Sequence, residues 1–227
     1  MIFYLEGSIG SGKSTLLSIL QEAFNKQYVE VIQEPVEEWK QLMDDNNNNI
    51  LSYFYQDPKR WSLSFQLNAF ISRVNKLENL DQDKIYIVER SIFSDKNCFA
   101  TNCYQTGLMN QLEWKIYNQW FDWLITKSNT KPSGYIYLKC HTNTCLDRIA
   151  IRNRNEENGI PEDYLTQLND LHDNWLSNTS YPTLVLDNNY NFNQQPEIIN
   201  KHINTIVDFI ENTIGSKDTK KILNKLL

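Results

Sequence analysis

The sequence predicts an open α/β fold, a mostly parallel sheet of five strands covered by helices on both faces. Three observations carry this expectation. Short β-branched and aromatic runs alternate with longer amphipathic stretches along the chain. The runs read as buried strands, the kind found in parallel sheets covered on both sides. A glycine-rich turn joins the first run to the first amphipathic stretch, where open parallel sheets bind ligands.

The strands are expected at "IFYLE" (2–6), "YVEVI" (28–32), "IYIVE" (85–89), "GYIYLK" (134–139) and "TLVLD" (183–187). Helices are expected over 13–26, 58–80, 108–127, 142–151, 161–177 and 195–214. The second of these opens on Asp57-Pro58, an N-cap followed by proline at the first helical position. "DDNNNN" (44–49) reads as an exposed polar loop. Residues 1–214 are expected to form one domain, and 215–227 a basic amphipathic tail, either a last helix or disordered.

Composition narrows the class. The chain has 227 residues, 41% of them hydrophobic, enough for a real core. Its net charge of −6 and pI near 5.1 disfavour a broad nucleic-acid or membrane surface, while leaving room for a small basic site for a phosphorylated metabolite. No apolar run approaches the roughly 18 residues that span a bilayer, and the N-terminus lacks the features of a signal peptide. A cytoplasmic location follows as the expectation. Cys98, Cys103, Cys140 and Cys145 form two C-x4-C pairs with no histidine partner nearby, so inert thiols are expected rather than a zinc site.

"GSIGSGKS" matches G-x-x-x-x-G-K-[ST] through Gly7, Gly12, Lys13 and Ser14. Glycines let backbone N–H groups turn inward around phosphate oxygens, and the helix N-terminus adds its dipole. The expected phosphate cradle therefore runs through Gly7, Ser8, Ile9, Gly10, Ser11, Gly12, Lys13, Ser14 and Thr15. Lys13 would neutralise the terminal phosphates, and the Ser14 hydroxyl would ligate Mg²⁺. The spacing is not the G-x-G-x-x-G of dinucleotide folds. Neither a guanine-reading N-K-x-D loop at a strand end nor an apolar strand ending in Asp-Glu is present, which disfavours GTPases and many motor ATPases.

Two other strand ends carry acids. Glu34 follows the second strand in "QEPVEEW", and Glu89, Arg90 and Asp95 follow the third in "VERSIFSD". Phosphoryl transfer needs an acceptor oxygen in line, a metal on the phosphates and cations for the equatorial charge. Glu34 is expected as the general base, Arg90 as the group holding that carboxylate, and Glu89 as a residue positioning Mg²⁺ or its waters. In the helix from Pro58, Gln66, Ala69 or Phe70, and Arg73 share one face. From spacing alone this is either an ordinary solvent face or a surface that reads a nucleobase, with Trp39, Tyr55, Phe65 and Phe99 as walls.

"EGSIGSGKST", "EPVEEW", "YFYQDPKRWSLSFQ", "SRV", "ERSIFSDKNCFA" and "RNRNEENGIPEDYL" occur in this order. Together they resemble the deoxynucleoside kinases, most closely the deoxycytidine and deoxyguanosine kinase branch, over roughly residues 1 to 190. The resemblance implies a P-loop kinase three-layer sandwich with an arginine-rich lid at about 152–160, usually as a homodimer. It implies transfer of the γ-phosphoryl of ATP, with Mg²⁺, to the 5′-hydroxyl of a deoxynucleoside. Glu34 and Arg90 keep their roles. Tyr55 and Glu157 would hold the sugar 3′-hydroxyl, Gln66 would pair with the base edge, and Phe99 would stack on it beside Trp39 and Phe65. Arg73 and Asp95 would form a buried pair next to the base, and Arg148, Arg152 and Arg154 would reach the donor phosphates. Phe192 would contact the donor base, with Asn191 standing where relatives often carry an acid.

An Asp carboxylate by the base accepts from an exocyclic amine and would oppose the O4 of thymine. Deoxycytidine and purine deoxynucleosides are therefore expected over thymidine. The alternatives are a deoxynucleoside monophosphate kinase, which needs a further cation for the acceptor's own phosphate, and a non-catalytic nucleotide-binding protein.

Overall fold

The first strand decides how the layers form. In β1 (Ile2–Glu6) side chains point alternately to the two faces of the sheet. Phe3 and Leu5 join Leu16, Leu17 and Leu20 in one apolar cluster, while Ile2 and Tyr4 join Tyr86, Tyr135 and Leu176 in another. All of β1 is buried, as befits the middle of a sheet covered twice. The computed structural model describes residues 1–157, 159–190 and 195–215. Asn158 of the expected lid, Asn191 and Phe192 of the donor-base loop, and 216–227 of the tail lie outside the described residues.

The sheet continues with β2 (Val29–Ile32), β3 (Ile85–Glu89), β4 (Gly134–Lys139) and β5 (Thr183–Asp187), in the order β2-β3-β1-β4-β5. Every pairing is parallel. The order reverses at β1, whose neighbours β3 and β4 both come later in the chain, and a crevice opens there at the carboxyl ends of the strands. Helices α1 (Lys13–Ala23) and α10 (Pro196–Ile214) pack on the Phe3 face, and α9 (Glu162–Asn178) packs on the Tyr4 face. Helices α4 (Pro58–Asn75) and α7 (Gln111–Lys127) share a third cluster that includes Phe65, Phe70, Met109, Tyr117 and Phe121. Among the described residues no helix is long and apolar enough to cross a membrane.

The five strands lie where the sequence predicts them to within a residue, but the helices differ in four places. The expected helix 13–26 stops at Ala23, where Phe24 turns extended. The expected helix 58–80 stops at Asn75, where the chain turns through a left-handed Asn79 (φ 60°) and Leu77 leaves to pack on the Tyr4 face. The expected helix 108–127 begins at Gln111, because Asn110 and Glu113 form a reciprocal cap there. Short helices also fill stretches assigned no structure from sequence: α2 (Val36–Gln41), α3 (Ile50–Gln56), and a run from Ile92 to Gln105 containing α5 (Ile92–Ser94), a π-helical turn (Asp95–Ala100) and α6 (Thr101–Gln105). Helices this short are not stable alone and form here because tertiary packing buries one face of each. The asparagine run is mostly exposed, as expected, and its last member caps α3: Asn49 accepts from Ser52 N–H at 2.7 Å. All four cysteines are free and buried.

Candidate active site

The phosphate loop spans the gap between β1 and α1. No side chain caps α1, whose N-cap Gly12 sits at φ 92°. A Cβ at Gly12 would come within 2.6 Å of the Asn188 amide, so only glycine fits between the loop and the end of β5. Asn188 ties that end down by donating to the Ser11 carbonyl at 2.6 Å. The Lys13 ammonium is buried and folds back on the loop, donating to the carbonyls of Gly7 (3.0 Å) and Ser8 (2.8 Å). Burial, with the Arg90 charge adding to it, lowers its pKa to about 7. A polyphosphate on the loop would reverse that penalty.

A closed ionic network lies beside the loop. Glu34, just past β2, accepts from Arg73 Nη2 and from Arg90 Nη1, both at 2.5 Å. Arg73 also donates to Asp95 Oδ1 at 2.6 Å, and the Tyr117 hydroxyl donates to Asp95 Oδ2 at 2.7 Å. Burial alone would raise the Glu34 pKa, but the charges of Arg90 and Arg73 outweigh it and hold the carboxylate at about 2. Glu34 is therefore ionised at any ordinary pH.

Above this network a cavity of about 730 Å³ runs from the phosphate loop to Gln66. Trp39, Tyr55, Phe65, Gln66, Arg73 and Phe99 all line it, on elements distant in sequence. The Phe65 ring meets Trp39 edge-on, Arg73 lies over Trp39 at 5.3 Å, and Arg90 lies over Phe99 at 4.9 Å. The shared face of Gln66, Ala69 and Arg73 is thus not a solvent face: all three are buried. Gln66 donates to the Cys103 thiol at 3.9 Å. Ala69 does not reach the cavity; it is fully buried in the cluster with Trp39 and Phe65. Nor does Asp95, whose two oxygens are taken by Arg73 and Tyr117 and which stands behind Arg73.

The stretch expected as the lid, with the helix before it, lines the other side. Helix α8 (Thr142–Arg152) carries Arg148, whose guanidinium donates to the Ser11 carbonyl at 3.3 Å and the Tyr190 carbonyl at 2.6 Å. On either side of the left-handed Asn153, Arg152 and Arg154 both donate to Glu157, Arg154 at 2.7 Å. Glu157 is buried, and burial, with the Glu157 charge adding to it, pushes the nearby Tyr55 phenol up.

The residues at the loop suit a hydrated divalent cation. The Ser14 hydroxyl donates to Glu89 Oε1 at 2.8 Å, which puts two hard oxygen donors side by side at the start of α1. Among the described residues no group of three or more His, Cys, Asp or Glu forms a cage. Magnesium favours such sparse sites, completing its shell with water and phosphate.

Sequence reasoning missed several residues at the site. Leu51, Phe54 and Tyr164 line the cavity, Asn188 anchors the loop, Tyr117 holds Asp95, and Glu6 lies beneath the β3 end. Asn188 had a visible signal, being the first polar residue past the last strand. Glu6 had one too, as the acid that ends β1. The others carry none, because apolar and tyrosine residues inside helices look like core.

One end of this cavity is lined by the glycine-rich loop with Lys13, the other by Gln66 among aromatic rings, and an ionised carboxylate stands between them. That layout on a five-stranded parallel sheet is that of a P-loop phosphotransferase. A family profile described as deoxynucleoside kinase matches residues 3–211. The chain is 37% identical to a "Probable deoxycytidine kinase" of fowlpox virus (strain NVSL), covering 91% of this chain and 86% of that one. It is 36% identical to the deoxycytidine kinase of Homo sapiens, covering 85% of each, and 29% identical to the human mitochondrial thymidine kinase 2, covering 91% of this chain and 77% of that one. The chain belongs to the deoxynucleoside kinase family. It is a transferase that uses a nucleoside triphosphate to phosphorylate a deoxynucleoside.

Proposed function

We propose that the acceptors are deoxycytidine and the purine deoxynucleosides, with thymidine disfavoured, and that the donor is ATP with Mg²⁺. The buried Arg73–Asp95 pair at the base end carries this reading. A carboxylate has about four acceptor positions, and Arg73 and Tyr117 occupy two on Asp95. Asp95 stands behind Arg73, so a base meets its remaining acceptor capacity only when binding shifts the Arg73 guanidinium aside; that capacity then suits an exocyclic amine, whereas the O4 of thymine would leave acceptor facing acceptor. The names of the fowlpox and human relatives support a cytosine substrate.

In the reaction Glu34 accepts the 5′-hydroxyl proton while Arg90 keeps its carboxylate aimed. A base with a pKa near 2 is weak. The transition state of phosphoryl transfer is loose, however, and needs the hydroxyl oriented more than deprotonated early. Lys13, Arg148, Arg152 and Arg154 balance the charge of the transferring group. Gln66 presents its amide to the base edge, Phe99 stacks on the ring, and Trp39 and Phe65 shape the slot. Tyr55 and Glu157 take the 3′-hydroxyl. Ser14, and Glu89 partly through water, would hold Mg²⁺, which supplies charge neutralisation on the β- and γ-phosphates. The active species is a homodimer formed through α7 and α4, where Leu112, Trp120, Trp123 and Ile71 are exposed.

The test is ATP·Mg²⁺-dependent phosphorylation of four deoxynucleosides and their four monophosphates. Turnover of deoxycytidine or the purine deoxynucleosides, with thymidine poor, is expected. Turnover of monophosphates alone would make the chain a monophosphate kinase and move the acceptor site.

A further inference from the structure

Four non-glycine residues among those described have positive φ: Asn47, Asn79, Asn153 and Arg90. Asparagine tolerates the left-handed region because its short amide bonds to nearby backbone. Arginine has no such compensation, so Arg90 at φ 58° is held there by its surroundings.

The surroundings are specific. Arg90 N–H donates to the Leu5 carbonyl at 3.0 Å, which extends the β1–β3 ladder one residue past the strand. The next N–H, that of Ser91, has left the ladder; it donates to Glu6 Oε1 at 2.9 Å and, at the longer distance of 3.3 Å, to Ser94 Oγ. Ser91 then caps α5, its hydroxyl accepting from Phe93 N–H at 3.1 Å and Ser94 N–H at 3.0 Å. Glu6 is the last residue of β1 and is fully buried, and it does not line the cavity. Its Oε2 has no partner, so Oε1 makes its clearest directed contact, with the peptide that follows Arg90. Burial raises the Glu6 pKa to about 7. The acceptor role survives this, because a protonated carboxyl still accepts through its carbonyl oxygen.

We propose that Glu6 is a positioning residue for phosphoryl transfer: its carboxyl oxygen clamps the left-handed Arg90–Ser91 turn and thereby aims the Arg90 guanidinium at Glu34. Without that acceptor the buried Ser91 N–H keeps only its longer 3.3 Å contact to Ser94 Oγ, and the turn relaxes toward negative φ to shorten it. The Arg90 Cα–Cβ direction turns with it, away from the 2.5 Å contact to Glu34 Oε2 and the stack on Phe99. Glu6 touches no substrate and acts through Arg90. The inference rests on the reading of Glu34 as base with Arg90 beside it.

Three variants test it by steady-state kinetics on the full chain, with thermal melting and triphosphate binding as checks of folding. Glu6→Gln keeps an oxygen acceptor and should hold kcat within about threefold. Glu6→Met fills the same space without an acceptor. It should lower kcat roughly 10- to 100-fold, with the triphosphate KM little changed. The same methionine in an Arg90→Ala background should lower kcat no further, because the two changes break one device. Equal losses in both backgrounds, wild-type kcat in Glu6→Met, or a loss in Glu6→Gln as deep as in Glu6→Met would each overturn the inference. Should the methionine variant not fold, Glu6→Ala is compared in the same two backgrounds. Wild-type kcat in Arg90→Ala itself would bring down the underlying reading, and this inference with it.

Discussion

The floor of the cavity and its lid are both built from arginine–carboxylate pairs, but they meet water differently. On the floor the side chains of Glu34, Arg73, Arg90 and Asp95 are at most 9% exposed. In the lid Arg152 is 35% and Arg154 25% exposed, although the Glu157 they share is buried. Charges on the floor interact in a poorly screened medium, and each depends on its partners for solvation. Lid arginines keep much of their hydration, so exchanging Glu157 for another anion costs them little. The floor is thus set when the chain folds, whereas on the proposed reading the lid would trade a carboxylate for phosphate during turnover.

The sharpest way to break this contrast is Glu34→Gln. It should lower kcat by about 10²–10⁴ while leaving triphosphate affinity intact. Because buried Arg90 loses its counter-charge and buried Arg73 keeps only Asp95, it should also cost about 3–5 kcal/mol in urea unfolding. Turnover equal to wild type would remove Glu34 as base. There is a pH corollary. The Glu34 pKa is depressed from 4.5 to about 2, so its stabilisation is present above pH 4.5 and disappears as pH falls through 2. Acid titration of the variant's melting temperature should be flatter over that window.

Next in size is the pair behind the base. Replacing Arg73→Met together with Asp95→Ala should raise thymidine kcat/KM relative to deoxycytidine by roughly 10- to 100-fold. No gain in thymidine turnover would end the assignment of that pair to base choice.

In the lid, Arg152→Ala or Arg154→Ala should lower kcat roughly 10- to 100-fold through lost charge stabilisation. Either should change unfolding free energy by no more than about 1 kcal/mol. A destabilisation as large as that of Glu34→Gln would erase the distinction between floor and lid.

The smallest expected effect is calorimetric. Burial and Arg90 hold Lys13 near 7 in the free protein, and a bound triphosphate restores its charge. Binding should therefore take up a proton, approaching about one at pH 8, with apparent affinity falling as pH rises above 7. Titrations in buffers of different ionisation heat measure this. Zero uptake would mean that Lys13 is already charged before phosphate arrives.

These contrasts differ in how far the sequence announced them. The lid's composition is visible in "RNRNEENGIP", since four charged residues cluster in one segment. The floor is scattered. Arg73 lies 39 residues from Glu34 and 22 from Asp95, and Arg90 lies 56 from Glu34. Spacing on α4 left Gln66 and Arg73 open between a solvent face and a binding face, because periodicity reports a shared face without saying what covers it. Asp95 was expected beside the base, yet the π-helical turn that carries it sets it behind Arg73, with Tyr117 closing the far side.

By itself the sequence determined the five strands, the phosphate loop and the acids at the strand ends. Each of these depends on neighbouring residues: apolar runs bounded by turns, glycines where φ must be positive, and polar residues where a strand stops. Only the tertiary structure decided that Glu34 is shared by two arginines, that helices form over 36–41, 50–56 and 92–105, and that Glu6 reaches the peptide after Arg90. Those features depend on burial, which strengthens charge pairing and makes short helices and unpaired amides find partners, and burial is a property of the packed chain.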